Sequence, residues 1–282
     1  MNKLKELMQK DFEEFQKTGK IQRAKDLTKA TDTHFNHSEY PMYFTGNPDA
    51  KFVLVHLNPK QKDSLEEAYQ GEAKFSNFED YYNFHRNFGK VHYGETSERT
   101  HKSPFDHKQI RFIKPFNVIK FDDSKDVFYN LEKVMDEKFQ LELVPFGSDK
   151  FTTATVRASA IETYVDILLE TITTKERDYI IFCGKIFEKV LAKYIVSKED
   201  FEFNLPKIDG TTAKSLSKFS KITLEINGKK INAGIAQSFA QQGLNMVEYG
   251  KKCHELYNRD LCTKQPLCSR HTTKPKKNKE WQ

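Results

Sequence analysis

Three groups of residues in this chain are of types that could do chemistry. Asn58 and Pro59 end the run Lys51 to Gln61, KFVLVHLNPKQ, so an amide stands where an apolar strand must stop. Between Lys60 and Ile110, the rings of Phe75, Phe78, Tyr81, Tyr82, Phe84, Phe88 and Tyr93 are interleaved with His85, Arg86, Lys90, His92, Arg99 and His101. Rings that stack on bases beside cations that meet phosphates are what single-strand or flipped-base binding uses. The same composition would equally build a small helical subdomain whose rings form its own core. Cys253, His254, Cys262, Cys268 and His271 crowd together near the end of the chain and could supply four metal ligands. Their gaps are irregular and no C-x-x-C occurs, so reduced thiols in a basic tail are the simpler expectation, with no metal or other cofactor.

These residues need elements to position them. Phe52 to Leu57 has the length and composition of a buried strand of a parallel sheet, and Pro59 cannot extend that ladder. In open α/β sheets the crevice beyond the carboxyl ends of the strands binds ligands, which places Asn58 at the mouth of a site. An amide at the open end of a strand has few packing duties, so Asn58 is expected to serve function more than folding. Leu4, Leu7, Met8, Phe12 and Phe15 recur at helical spacing and predict an opening amphipathic helix, whereas Thr31 to Ala50 carries loop signals. Val127 to Glu137 reads as a helix and Phe139 to Phe146, FQLELVPF, as a second strand that closes on Pro145 and Gly147-Ser148 and places Leu141 to Val144 in the central sheet. A helix over Val156 to Thr173, a strand over Tyr179 to Cys183, Gly184, and a helix over Lys185 to Tyr194 complete a βαβ series. Ser220 to Ile226 and Lys230 to Ala236 then flank Asn227-Gly228, a strong hairpin signal, before a last helix from about Gln241 to Leu256.

With 282 residues, 37% hydrophobic and 30% charged, the chain suits one sizeable soluble core. No apolar run approaches a membrane span, and the start MNKLKELMQKDFEEF is too charged for a signal peptide, so a cytoplasmic protein is expected. The net charge of +6 is local, because Tyr249 to Gln282 holds nine Lys and Arg against three Asp and Glu while the rest balances. Such a tail can add salt-dependent phosphate affinity or serve only as a solvated terminus.

Four segments share one design, an apolar strand ending in a polar or glycine-bearing loop: HLNPKQ, ELVPFGS, FCGKIFEKVL and IAQSFAQQG. Their order, from Lys51 to Leu244, resembles the uracil-DNA glycosylase superfamily. Leu57-Asn58-Pro59 is similar to the family's first motif in its G-x-N-P-G form, and Ile180 to Leu191 to its strand-Gly-helix element. The resemblance implies that Asn58 holds a water under the anomeric carbon, where an oxocarbenium-like centre develops. An amide can orient that water but is a poor base, so electrostatic stabilisation of the departing base must supply much of the rate.

Two departures from the family pattern stand out. Where relatives carry a His-Pro-Ser loop, this chain has Gln237-Ser238-Phe239-Ala240-Gln241, and neither Gln237 nor Gln241 can carry an imidazolium's charge. Leu141-Glu142-Leu143-Val144-Pro145 places Glu142 where the single-strand-selective branch has a base-reading Asn. A carboxylate only accepts, which suits a base with an exocyclic amine, such as cytosine or a modified cytosine.

The resulting expectation is an α/β fold with a central, mainly parallel sheet flanked by helices, similar to uracil-DNA glycosylases. Residues 1–248 form the glycosylase-like domain, with a helical, aromatic-rich insertion at about 60–110, and residues 249–282 the basic Cys/His-containing tail. The resemblance implies a DNA glycosylase-like monomer that takes single-stranded DNA or a flipped base, in repair or in defence against foreign DNA. Asn58 and Gln237 are its expected catalytic residues; Glu142, Pro59, Phe146, Ser238 and Gln241 would bind the base. Lys60, Ser148, Lys185, Lys251 and Lys252 would meet the nucleic-acid backbone. The competing readings are a non-catalytic nucleic-acid-binding module on the same fold and a nucleotide-processing enzyme.

Overall fold

The computed structural model describes residues 2–59, 75–97, 103–148, 150–151, 156–207, 210–212, 215–240 and 243–259. The chain opens with helices α1 (Asn2–Thr18) and α2 (Gln22–Ala30), then strands β1 (Phe44–Gly46) and β2 (Phe52–His56). Helices α3 (Phe78–Arg86), α4 (Phe88–Tyr93) and α5 (Pro104–Ile113) follow, with a 3-10 turn at Lys114–Phe116. Next come α6 (Val127–Glu137), β3 (Phe139–Glu142), α7 (Glu162–Thr173), β4 (Tyr179–Cys183) and α8 (Ile186–Val190). Strands β5 (Ile195–Phe203), β6 (Ser217–Ile226) and β7 (Lys229–Ala236) precede α9 (Met246–Tyr257).

The seven strands form one sheet in the order β1-β3-β2-β4-β7-β6-β5. The four central strands run parallel, with Val55 of β2 facing Leu141 of β3 and Phe182 of β4. The expected mainly parallel sheet is therefore a mixed one, since β1, β6 and β5 pair antiparallel at its two sides. Every residue of β2 is buried, as its unbroken apolar run requires between two helical layers. Val53, Val55 and Leu141 pack towards α1, α2 and α7, and Phe52, Leu54 and Ile181 towards α5, α6 and α9.

Local chemistry explains where the elements begin. Asn77, Ser103, Asp126 and Asn245 each accept a hydrogen bond from a first-turn backbone N–H of the helix that follows, satisfying one of its orphan donors. The β6–β7 hairpin turns on Asn227 and Gly228, both with positive φ, the geometry the Asn-Gly pair favours. Gly46 has φ of 86°, and a Cβ there would lie 2.1 Å from the Lys138 carbonyl oxygen. Only glycine lets β1 close against the junction of α6 and β3.

The aromatic stretch is mostly core. Tyr81 and Tyr93 are fully buried, Tyr81 stacking at 5.3 Å on Phe12 of α1, and Phe75 packs edge-on to Tyr81. Arg86 donates to the Asp136 carbonyl and His92 lies 4.6 Å from the Phe88 ring, while Arg99 and His101 fall outside the described residues. Among the described residues, no helix is long and apolar enough to cross a membrane.

Candidate functional site

A cavity of about 650 Å³ opens where β2, β3 and β4 reach their carboxyl ends. The sheet contributes His56, Gln140, Glu142 and Cys183; the loops after β2 and β3 contribute Asn58, Pro59, Phe146 and Ser148. Phe88, Phe105 and Asp106 enter from the helical insertion, and Ser238 and Ala240 from the loop after β7. The volume falls within the usual range of small-ligand sites.

Asn58 is held by its amide nitrogen. Nδ2 donates to the carbonyl oxygens of Pro59 at 2.9 Å and Phe146 at 3.1 Å, and lies 2.8 Å from Ser148 Oγ. Among the described residues, Oδ1 meets no donor, so it remains able to accept from a water. These contacts correct the expectation that Asn58 has few structural duties, because its amide ties the β2 loop to the β3 loop. The ladder also continues past the strands' formal ends, with Leu143 N–H donating to His56 and Val144 N–H to Leu57, both at 2.9 Å.

Alternation of the extended backbone puts Gln140 and Glu142 of β3, with Lys138 just before it, on one face, opposite the apolar Phe139 and Leu141. Lys138 Nζ donates to Gln140 Oε1 at 2.7 Å, and Gln140 Nε2 donates to Glu142 Oε1 at 2.7 Å. Glu142 Oε2 is buried with no partner among the described residues. Burial pushes the Glu142 carboxyl up to about 8, against the hydrogen bond from Gln140 and the charge of Lys138. Burial likewise lowers the Lys138 ammonium to about 8, against the pull of Asp106 and Glu142. At neutral pH Glu142 is thus mainly a carboxylic acid, which can donate. The expectation of an acceptor-only group holds only once it ionises.

His56 is the register partner of Glu142 on the neighbouring parallel strand. Burial lowers its imidazole to about 3, with the charge of Lys138 acting in the same direction, so it is neutral at pH 7. Phe105 and Phe239 flank its ring at 4.9 and 5.4 Å, and its Nε2 is buried with no partner among the described residues. Beside it, Asp106 accepts from Tyr93 Oη at 2.6 Å and from Gln109 Nε2 at 3.1 Å.

Of the residues expected from sequence, Asn58, Pro59, Glu142, Phe146, Ser148 and Ser238 meet at this cavity. Gln237 does not line it: its Oε1 accepts from Lys218 N–H at 3.3 Å, and its own N–H donates to Tyr249 Oη at 2.6 Å. Lys185 is exposed and away from the cavity, whereas Lys251 and Lys252 lie on α9, paired with Glu248 and Glu255. Lys60 and Gln241 fall outside the described residues. Cys253 is buried under α9 and His254 packs on Phe116 and Tyr179, while Cys262, Cys268 and His271 also fall outside. No cluster able to hold a metal occurs among the described residues.

Sequence reasoning missed His56, Lys138, Gln140, Asp106 and Phe105. The signal available for the β3 stripe was the strict polar-apolar alternation of Lys138 to Glu142, and for His56 the one polar side chain within an apolar strand. No protein-family model matches the chain, and no curated protein matches it.

Proposed function

We propose that this chain is a DNA glycosylase-like, base-binding protein that acts on a non-standard or modified base of cytosine type in DNA. One observation carries the reading: Asn58 and Glu142, from two separate strand-end motifs, line the same cavity beyond the carboxyl ends of adjacent parallel strands. The resemblance to uracil-DNA glycosylases assigns these two positions to water holding and base reading. Asn58 Oδ1 can accept from a water while Nδ2 is tied to the loops, which suits an orienting group. Phe105, Phe146 and Phe88 line the same space, where a flipped base can meet aromatic rings.

The test is excision from single-stranded oligonucleotides carrying cytosine, an enlarged cytosine or uracil, read as alkali-labile abasic sites. Faster removal of a cytosine-type base than of uracil supports the reading, and fastest removal of uracil overturns the base assignment.

A non-catalytic base-binding module is the second reading, favoured by Gln237. Its Oε1 accepts from Lys218 N–H, and it is not among the described residues that line the cavity. Tight binding of the same oligonucleotides with no excision of any base selects this alternative.

A further inference from the structure

We propose that Glu142 donates a proton to a ring nitrogen of the bound base, aimed for that transfer by Lys138 acting through Gln140. The substrate class is then a base with an unprotonated ring nitrogen beside an exocyclic amine. This deepens the glycosylase-like reading of the cavity and rests on it.

The chemistry of a lysine ammonium runs one way. It can only donate, so Lys138 Nζ at 2.7 Å fixes the Gln140 oxygen towards itself and the Gln140 NH₂ towards Glu142. Glu142 Oε1 must therefore accept, and in the acid form the proton resides on Oε2. That oxygen is buried in a residue lining the cavity and has no partner among the described residues. A fully buried hydroxyl with nothing to donate to is costly unless a ligand satisfies it.

The groups around Glu142 favour this role. Gln140 shares its strand and Lys138 immediately precedes that strand, neutral His56 sits beside it on β2, and the Cys183 thiol, its ionisation pushed up by burial, comes from β4. Asp106 of α5, with Glu39 and Tyr40 of the loop before β1, completes the titratable lining among the described residues. The carboxyl is held as the acid by burial into the neutral range, where a proton donor is most useful.

The step balances without a further reactant. Glu142 Oε2–H gives its proton to the ring nitrogen as the bond between the sugar's anomeric carbon and the base breaks, and the bonding electron pair leaves with the base. The base departs neutral. A water accepted by Asn58 Oδ1 adds to the anomeric carbon and loses its proton to solvent, from which the Glu142 carboxylate is reprotonated. Uracil carries a hydrogen on the corresponding ring nitrogen and gains only a hydrogen bond at an oxygen.

The experiment measures excision from oligonucleotides carrying cytosine-type bases or uracil from about pH 5.5 to about pH 9.5, a span that brackets the ionisation of a general acid poised near neutrality. It compares the native protein with Glu142→Gln, Lys138→Met and Gln140→Leu, and follows the Glu142 carboxyl directly by carbon NMR. Cytosine-type excision by the native protein should fall about tenfold per pH unit once Glu142 ionises, and Glu142→Gln should lose on the order of 100-fold. Lys138→Met and Gln140→Leu should both move that limb to higher pH, because the ammonium and the amide each favour the ionised carboxyl. Gln140 and Lys138 are positioning residues, and a purely structural role would lower the rate without moving the limb. Excision with no alkaline limb, an unmoved limb in both variants, or full activity in Glu142→Gln overturns the proton transfer alone. No excision of any base, with the carboxyl still titrating high and responding to Lys138→Met, removes the glycosylase reading and the proton transfer together.

Discussion

The two ends of the same parallel strands treat polar groups in opposite ways. At the amino end, a cleft of about 420 Å³ is lined by Lys175, Glu176, Arg177, Asp178, Lys229 and Lys230. Much of its charge is paired: Lys51 lies 3.9 Å from Glu176 and 3.8 Å from Asp178, Lys175 pairs with Asp49 at 3.4 Å, and Arg177 donates to the Pro48 carbonyl at 2.8 Å. At the carboxyl end, the polar atoms are buried, and Glu142 Oε2, His56 Nε2 and, beside Asp106, Gln109 Oε1 have no partner among the described residues. Unspent hydrogen-bonding capacity beside a cavity marks the end that binds, and exposed ion pairs do not. His85 sharpens the rule. Its two ring nitrogens are equally buried and unpartnered among the described residues, but Tyr81 and Phe84 enclose it at 4.7 and 5.5 Å and it lines neither the cavity nor the cleft. An orphan atom points to a ligand only where there is room for one.

The largest expected effect tests the buried carboxyl. Because its folded value of about 8 lies above the ordinary 4.5, the fold favours the protonated form. Its contribution is fully present below 4.5 and is lost as pH rises to about 8, at up to about 1.4 kcal/mol per pH unit. Denaturant melts of the native protein and Glu142→Gln across this window should diverge, with the variant holding its stability at alkaline pH. Parallel curves would mean that Glu142 is hydrated and that the two ends of the sheet do not differ in this way.

Next in size is Asn58→Ala, which should abolish base excision. It should also lower stability by about 1–3 kcal/mol, because removing Nδ2 leaves the Phe146 carbonyl and Ser148 without their partner. Calorimetry with an excision assay separates the two consequences. An unchanged melting temperature would show that the loop bonds are replaced by water.

Glu142 and Asn58 differ in how far their surroundings could be foretold from sequence. Asn58 was legible because an apolar run that stops on Asn-Pro has one sensible place in an α/β sheet, and β2, β4, α6 and the β6–β7 hairpin followed from equally plain signals. Strand β3 begins at Phe139, as the run FQLELVPF implies, but ends at Glu142, before the expected end of the strand, since Pro145 ends the regular ladder while the bonds of Leu143 and Val144 persist. Strand β5 escaped notice because IVSKEDFEF carries the exposed charges that protect a sheet edge, and such charges hide a strand from pattern reading. Helix α2 is short and polar, and β1 is three residues inside a loop-like stretch. The alternation of Lys138 to Glu142 signals a polar stripe but not the burial of Lys138. Ending a helix, this lysine looks like a solvated cap, and only the packing around it, with Thr45 of β1 3.5 Å from its Nζ, makes it a buried donor.

At the amino end, Lys175→Ala should change stability by no more than about 1 kcal/mol, since both members of its pair with Asp49 are more than half exposed. A urea melt suffices to measure this. A larger loss would give that cleft a structural weight that an exposed ion pair should not have.

The smallest effect is expected on the surface of α9. Lys251 and Lys252 each hold a neighbouring carboxylate on their own helix, at 2.7 Å from Glu248 and 2.8 Å from Glu255. A cation already matched locally offers little to a phosphate, so Lys251→Ala with Lys252→Ala should leave single-stranded DNA affinity and its salt dependence close to native. Residues 260–282 carry six Lys and Arg against two Asp and Glu. Removing them should flatten the plot of log affinity against log salt by about 0.7 for each phosphate that the tail neutralises, equally for all sequences. The two measurements together locate the polyanion affinity. A flattened slope in the α9 double variant with no change on truncation would place it on the helix, and an unchanged slope in both would leave binding to the cavity and its rim.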